Sequence, residues 1–228
     1  MNVAIVTVGD ELLAGRTTNT NATWLSEQLT ERGVSVERVT TVPDRISDIA
    51  RVVNEYRAEY DAVIVTGGLG PTHDDVTMEG VAAALGCSLE THDGALAWLE
   101  EDGYSRADLT AGTADLPVGA RPLHNETGVA PGAVIESVYV LPGVPAEMRT
   151  MFDSVADEFS GTQTYREVVV ADEPESALLD RITAVRERFE VSVGSYPGDS
   201  VRLSLEGTDE ETVLTAAAWL RDHVERTE

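Results

Sequence analysis

The run Thr66-Gly67-Gly68-Leu69-Gly70-Pro71-Thr72-His73-Asp74-Asp75-Val76-Thr77 brings two kinds of chemistry together. Gly67, Gly68 and Gly70 let the backbone come close to a ligand, because no Cβ intervenes. Successive main-chain N–H groups in such a turn form a nest for an anion. A helix starting near Thr77 adds the positive end of its dipole and its unpaired donors, and Pro71 stiffens the loop. The run lacks the Gly-Lys-Ser/Thr ending of a Walker A loop, and it is not Gly-x-Gly-x-x-Gly. Asp74 and Asp75 then need a reason, since carboxylates repel phosphate. A divalent cation between them and phosphate oxygens supplies one, as Mg²⁺ is held by one or two carboxylates. The alternative is a plain turn in which Asp75 caps the next helix.

A second run, Gly9-Asp10-Glu11-Leu12-Leu13, is followed by Gly15 and Asn19-Thr20-Asn21. Asp10 and Glu11 would add oxygens for the same cation, so Asp10, Glu11 and Asp75 form the expected metal set, with Mg, Mn or Co as the ion. Their plainer reading is an N-cap and a first-turn acid. Gly9, Asn19 and Asn21 are expected on the ligand, beside Thr66, Gly67, Gly68, Leu69, Gly70, Pro71, Thr72 and Thr77. His73 lies in the loop within reach of a phosphate. His92, His124 and His223 lack metal-ligand spacing and read as surface or capping residues. Trp24, Trp98 and Trp219 read as core. No Gly-x-Ser-x-Gly elbow or Cys/His pair points to covalent catalysis.

These runs need a sheet to hold them. Val3 to Val8 is a buried strand, and Asn19 to Arg32 a helix with Trp24, Leu25 and Leu29 at helical spacing. Val34 to Val42 alternates as a strand. The next helix has Ile46, Ile49, Val52 and Val53 on its buried face. Ala62 to Thr66 is a second buried strand, and helices follow from Thr77 to Leu85 and Asp93 to Glu101. This alternation predicts a mostly parallel sheet covered on both faces, whose ligands sit at the carboxyl ends of the strands. Residues 103 to 132 are irregular and the place for a lid or subunit contact. Val138 to Leu141 is a strand, and Pro145 to Phe159 a helix opened by proline. After a polar linker, residues 165–228 read as a small β-α-β-β-α unit ending in a helix from Thr208 to Arg226. It lacks the Gly-x-x-Gly clamp and basic face of a KH module.

The 228 residues carry a net charge of −25, 41 acids against 16 bases, and every base is arginine. So acidic a chain excludes nucleic acid as partner. It also predicts function in molar salt, where the Debye length shrinks to about 3 Å. No stretch approaches the ~20 apolar residues of a membrane span, and the N-terminus reads as a strand rather than a leader, so a cytoplasmic location is expected. Cys87, the only cysteine, reads as a packed thiol.

Both runs, with Leu116-Pro117-x-Gly119-Ala120, Asn125-x-x-Gly128-x-Ala130-Pro131-Gly132 and Leu141-Pro142-Gly143-Val144-Pro145-x-Glu147-Met148, closely resemble the molybdopterin-binding-like domain of the competence/damage-inducible protein CinA family. The resemblance covers residues 1 to about 160. The tail, with Glu175-Ser176 and Gly194-Ser195-Tyr196-Pro197, looks like that family's small middle domain. It implies a three-layer α/β/α fold over 1–161, shared with MogA and MoaB, and a small α+β domain over 165–228. It adds Pro142 and Gly143 to the ligand-binding set and makes Asp75, with Asp74 beside it, the catalytic carboxylates. It implies dimers or trimers.

Three functions stay open: metal-dependent cleavage of ADP-ribose or a related dinucleotide, molybdopterin binding or adenylylation, and nucleotide binding without turnover. Each takes a small phosphate-bearing molecule in the same loop. The deamidase domain that usually ends CinA proteins is absent from the sequence, so that activity is not expected.

Overall fold

A computed structural model describes residues 1–104 and 112–225. The chain divides into two compact units, Met1–Gly161 and Thr162–Glu228. The first contains β1 (Asn2–Val8), the single-turn helix α1 (Asp10–Leu13), α2 (Thr20–Glu31), β2 (Ser35–Val42), α3 (Ile46–Glu59) and β3 (Ala62–Thr66). There follow α4 (Thr77–Leu85), β4 (Leu89–Thr91), α5 (Asp93–Glu101), β5 (Asp115–Pro117), β6 (Arg121–Leu123), β7 (Gly132–Ile135), β8 (Val138–Leu141) and α6 (Pro145–Asp153).

Six strands form one sheet in the order β2-β1-β3-β8-β7-β6. The first four run parallel, while β7 and β6 join antiparallel. β3 and β8 are buried along their whole length, which is why they read as unbroken apolar runs rather than alternating ones. Alternate β1 residues feed opposite cores. Ala4, Val6 and Val8 pack with Ile49, Val52, Val81 and Leu96 from α3, α4 and α5. Val3 and Ile5 pack with Leu25, Leu29, Met148 and Phe152 from α2 and α6. The result is the expected three-layer α/β/α arrangement. Trp24 meets Phe152 edge-on at 5.6 Å, and Cys87 packs half-buried against the first core.

Three expectations change. Ile46 is 43% exposed. It shares a face with Ile49 by spacing, but it is the first helical residue, and Cα–Cβ bonds tilt toward the N-terminus, so its side chain projects off the helix end. The helix from Pro145 stops at Asp153: Ser154 Oγ donates to Met151 O at 2.6 Å, and a 3-10 turn (Ala156–Glu158) carries the chain on. The irregular stretch contains the three-residue strands β5 and β6 and ends where β7 begins. The part of the proposed lid or contact at 105–111 lies outside the described residues.

The second unit comprises β9 (Tyr165–Ala171), α7 (Glu175–Arg188), β10 (Ser192–Tyr196), β11 (Val201–Gly207) and α8 (Glu210–Arg221). Its antiparallel sheet runs β10-β11-β9, with Leu178, Val185, Leu203, Leu205, Val213 and Leu220 as core. Asp209 caps α8 by accepting from Thr212 N at 2.8 Å, so the helix starts two residues after Thr208 and ends at Arg221; Arg226 lies outside the described residues. Arg221 pairs with Glu167 and ties α8 to β9.

Candidate functional site

The chain leaves β1 for β2 on one side and returns across β1 to reach β3 on the other. The point where the direction reverses lies between β1 and β3, and a crevice opens there beyond the carboxyl ends. Thr7 and Thr66 are register partners, which sets the two sequence runs side by side.

The glycines of the loop are required by close backbone approach. Gly67 has φ +105, and a Cβ there would stand 2.3 Å from Val8 O. Gly68 has φ +63, and its Cβ would meet Thr77 Oγ1 at 2.4 Å. Gly143 sits against Gly67 so tightly that a Cβ would be 3.2 Å from the Gly67 Cα. Thr66 Oγ1 donates to Pro142 O at 2.7 Å, and Asn21 Nδ2 donates to Gly143 O at 2.8 Å. Thr66, Gly67, Asn21, Pro142 and Gly143, expected together, thus form one knot. Asn19 is spent on positioning: Oδ1 caps α2 by accepting from Ala22 N, and Nδ2 donates to Thr7 Oγ1 at 3.0 Å. The amides of Gly68, Leu69 and Gly70 donate to no protein group among the described residues. Thr77 Oγ1 and Asn21 Oδ1 are buried without a partner. Polar groups stranded in this way are expensive unless something else satisfies them.

Asp75 is not the helix cap. The N-cap position of α4 is Val76, and no side chain bonds there. Asp75 Oδ2 instead accepts from Thr72 N at 3.0 Å and Thr72 Oγ1 at 2.5 Å. A Cβ at Gly70 would lie 2.6 Å from Oδ2, so the missing side chain admits the carboxylate. The same hydroxyl stands 2.6 Å from Asp74 Oδ1. One hydroxyl proton serves two carboxylates, so the two acids compete for it. Hydrogen bonding by Thr72 holds Asp74 below the usual carboxylate range.

Sequence reasoning missed Asp44. Its Oδ2 accepts from Asp10 N at 2.7 Å. Burial pushes its carboxyl up, against that hydrogen bond, and the charges of Asp10, Glu11 and Asp74 push the same way. Asp44 follows Val42-Pro43 at the carboxyl end of β2, so the strand-end rule that flagged the other two runs also reaches it.

Among the described residues, no three His, Cys, Asp or Glu side chains converge as a set able to hold a metal ion. The expected trio Asp10, Glu11 and Asp75 is therefore not an assembled cage. α1 turns Asp10 so that its amide meets Asp44, while Glu11 and Asp75 line a cavity that Asp10 does not. His73 is exposed and lines neither cavity. His92 caps α5 through Nδ1.

Two cavities flank the loop. One, of about 240 Å³, is polar, with Thr17, Thr18, Asn21, Glu11, Asp44 and Asp74 in its wall. The other, of about 400 Å³, is faced by Leu69, Met78, Tyr104, Leu116, Val129 and Pro131, with Glu79 and Asp115 also in its wall. Gly68 and Asp75 belong to both.

Asp44→Asn separates function from stability. Asn keeps an acceptor for Asp10 N and removes a charge that its neighbours repel. A carboxyl raised in the folded state penalises folding at pH above its folded pKa, and the penalty vanishes below the unfolded value. The melting temperature at neutral pH is therefore expected to hold or rise. The excess over wild type should shrink as pH falls toward about 4. A clear fall in melting temperature at neutral pH contradicts this reading.

Comparison with known proteins gives the following. Residues 4–162 match the family model described as "Probable molybdopterin binding domain". Residues 163–228 match "FAD synthase, middle domain". A protein of Aeropyrum pernix is 46% identical over 212 residues, covering 86% of this chain and 79% of that one. A protein of Archaeoglobus fulgidus is 37% identical over 218 residues and covers 95% of each. The crystal structure of CinA from Thermoplasma acidophilum, described as of unknown function, superposes with a TM-score of 0.65 at 36% identity, over 70% of this chain and 99% of that one. No helix among the described residues is long and apolar enough to cross a membrane.

Proposed function

Given that the chain belongs to the molybdopterin-binding-like domain family, in its CinA-like form, we propose that it binds a two-lobed phosphate compound across the Gly68–Asp75 ridge and hydrolyses its diphosphate. The observation that carries this reading is the meeting of two cavities at a loop with three unspent amides. The amides of Gly68, Leu69 and Gly70 take the phosphate oxygens, while Thr77, fully buried and in the wall of neither cavity, backs the loop from behind. A planar ring lies against Leu69, Met78 and Tyr104. A sugar phosphate places its hydroxyls against Thr17, Thr18 and Asn21. Together the cavities fall in the roughly 300–1,000 Å³ range of small-molecule sites. ADP-ribose has this form.

In the reaction, water bonds to one phosphorus, the bridging P–O bond breaks, and AMP and ribose 5-phosphate result. Asp44, whose carboxyl is pushed up, is suited to take the water's proton. Asp75, anchored by Thr72, and Asp74 face the diphosphate. Asp75 and Asp74 would hold a divalent cation, which would supply charge neutralisation and a more acidic water.

The test is AMP release from ADP-ribose in ~2 M KCl, a salt level matched to a chain whose charge needs screening. AMP and ribose 5-phosphate are expected in equal amounts, with activity stopped by a chelator. No AMP with Mg²⁺, Mn²⁺ or Co²⁺ sinks the hydrolytic reading. The matched family description supports a second reading, in which the larger cavity holds a pterin; a pterin retained through purification would favour it. Protection by a nucleotide that emerges unchanged would leave a binding module.

A further inference from the structure

Asn125 belongs to a motif that the site above does not use. It is 4% exposed, yet it carries an amide. Both Nδ2 hydrogens are engaged, one on Ala130 O at 2.9 Å and one on Glu147 Oε2 at 2.7 Å. Its Oδ1 is buried without a partner. A leucine of similar size would fill the space but leave Ala130 O and Glu147 Oε2 without their donor, so the amide rather than packing accounts for the residue. Ala130, with Val129 and Pro131, forms one wall of the larger cavity. Glu147 lies in the first turn of α6, whose first residue, Pro145, lines the polar cavity. A Cβ at Gly128 would fall 2.2 Å from Glu147 Oε2 and 2.7 Å from Asn125 Nδ2, so the glycine makes room for this contact.

We propose that Asn125 is a positioning residue whose amide latches the Val129–Pro131 wall of the larger cavity to α6 through Glu147. The latch exists without ligand. Its consequence for binding, a fixed width for the slot that takes the ring, rests on the reading of the larger cavity given above. Glu147 is the acceptor of the latch, so glutamine at 147 keeps it and alanine breaks it.

Hydrogen exchange on the full chain in KCl tests the latch directly. In Asn125→Leu and Glu147→Ala, exchange across 128–132 is expected to rise about tenfold while β1 and β3 keep their protection. Glu147→Gln should exchange as wild type. An unchanged 128–132 segment, or a uniform rise over the whole chain, overturns the proposal. If Asn125→Leu does not fold, the contrast between Glu147→Ala and Glu147→Gln decides. In binding, Asn125→Leu should lose about tenfold in AMP affinity and keep pyrophosphate affinity. Equal loss of both would make Asn125 a general stabiliser and overturn the positioning role. A wild-type protein that binds neither probe would refute the proposed function, while the exchange result still judges the latch.

Discussion

Gly68→Val is expected to lower affinity for ADP-ribose by at least about 100-fold, equivalent to roughly 2.7 kcal/mol. Two effects act, the first on stability and the second on binding. The left-handed φ of +63 costs a non-glycine residue about 1–2 kcal/mol. The added side chain also meets the buried Thr77 Oγ1, to which a Cβ alone stands at 2.4 Å, and so pushes Gly68, which lines both cavities, out of its binding position. Gly15 provides a matched control. Its φ is +66, but a Cβ there meets nothing within 4 Å, and it lines neither cavity. Gly15→Ala should lose a similar ~1–2 kcal/mol of stability from backbone strain and bind normally. Gly68→Ala covers the case in which valine prevents folding. Calorimetric titration reads all three, and a Gly68→Ala protein that binds as tightly as wild type would place the ligand elsewhere.

Asp75→Asn is expected to reduce AMP release by about 10²–10³-fold, the scale of losing a positioned charged group at a reacting centre. Asparagine keeps an oxygen for Thr72 N and Oγ1, so the turn that Asp75 braces should persist. The melting temperature should stay within a few degrees of wild type, since replacing a half-exposed acceptor by another costs at most about 1 kcal/mol. What disappears is the negative charge shared by both cavities. Single-turnover assays with saturating metal separate the two, because a binding defect is rescued by more ligand and a lost carboxylate is not. Activity near that of wild type would return Asp75 to a purely structural role.

The loop was legible in sequence because its residue types have few other uses. Gly67, Gly68 and Gly70 directly after the apolar run of β3 mark a backbone that must come close to something. The structure places Gly67 against Val8 O and Gly68 against Thr77 Oγ1, which is the physical content of that pattern. The layers were legible from the unbroken apolar strands and the spacing of Ile49, Val52 and Val53. Asp44 was not, since one acid after Val42-Pro43 looks like any turn residue until strand order puts β2 beside β1. That Asp10 does not join Glu11 and Asp75 in one cavity wall has a related reason. Asp10 and Glu11 are adjacent on a single helical turn, so their side chains diverge by about 100°. The apolar wall of the larger cavity was illegible because Tyr104, Leu116, Val129 and Pro131 come from loops and three-residue strands, too short for any period to register. The Asn125 latch left only motif residues, with no pattern to say what they held.

In the proposed complex the amides following β3 hold the diphosphate. A crystal structure of the Asp75→Asn protein soaked with ADP-ribose tests it most directly, because slow turnover should leave the compound intact. Phosphate oxygens are expected within ~2.7–3.2 Å of the Gly68, Leu69 and Gly70 nitrogens, with the adenine in the larger cavity. A diphosphate bound elsewhere, with those amides facing only water, would contradict it.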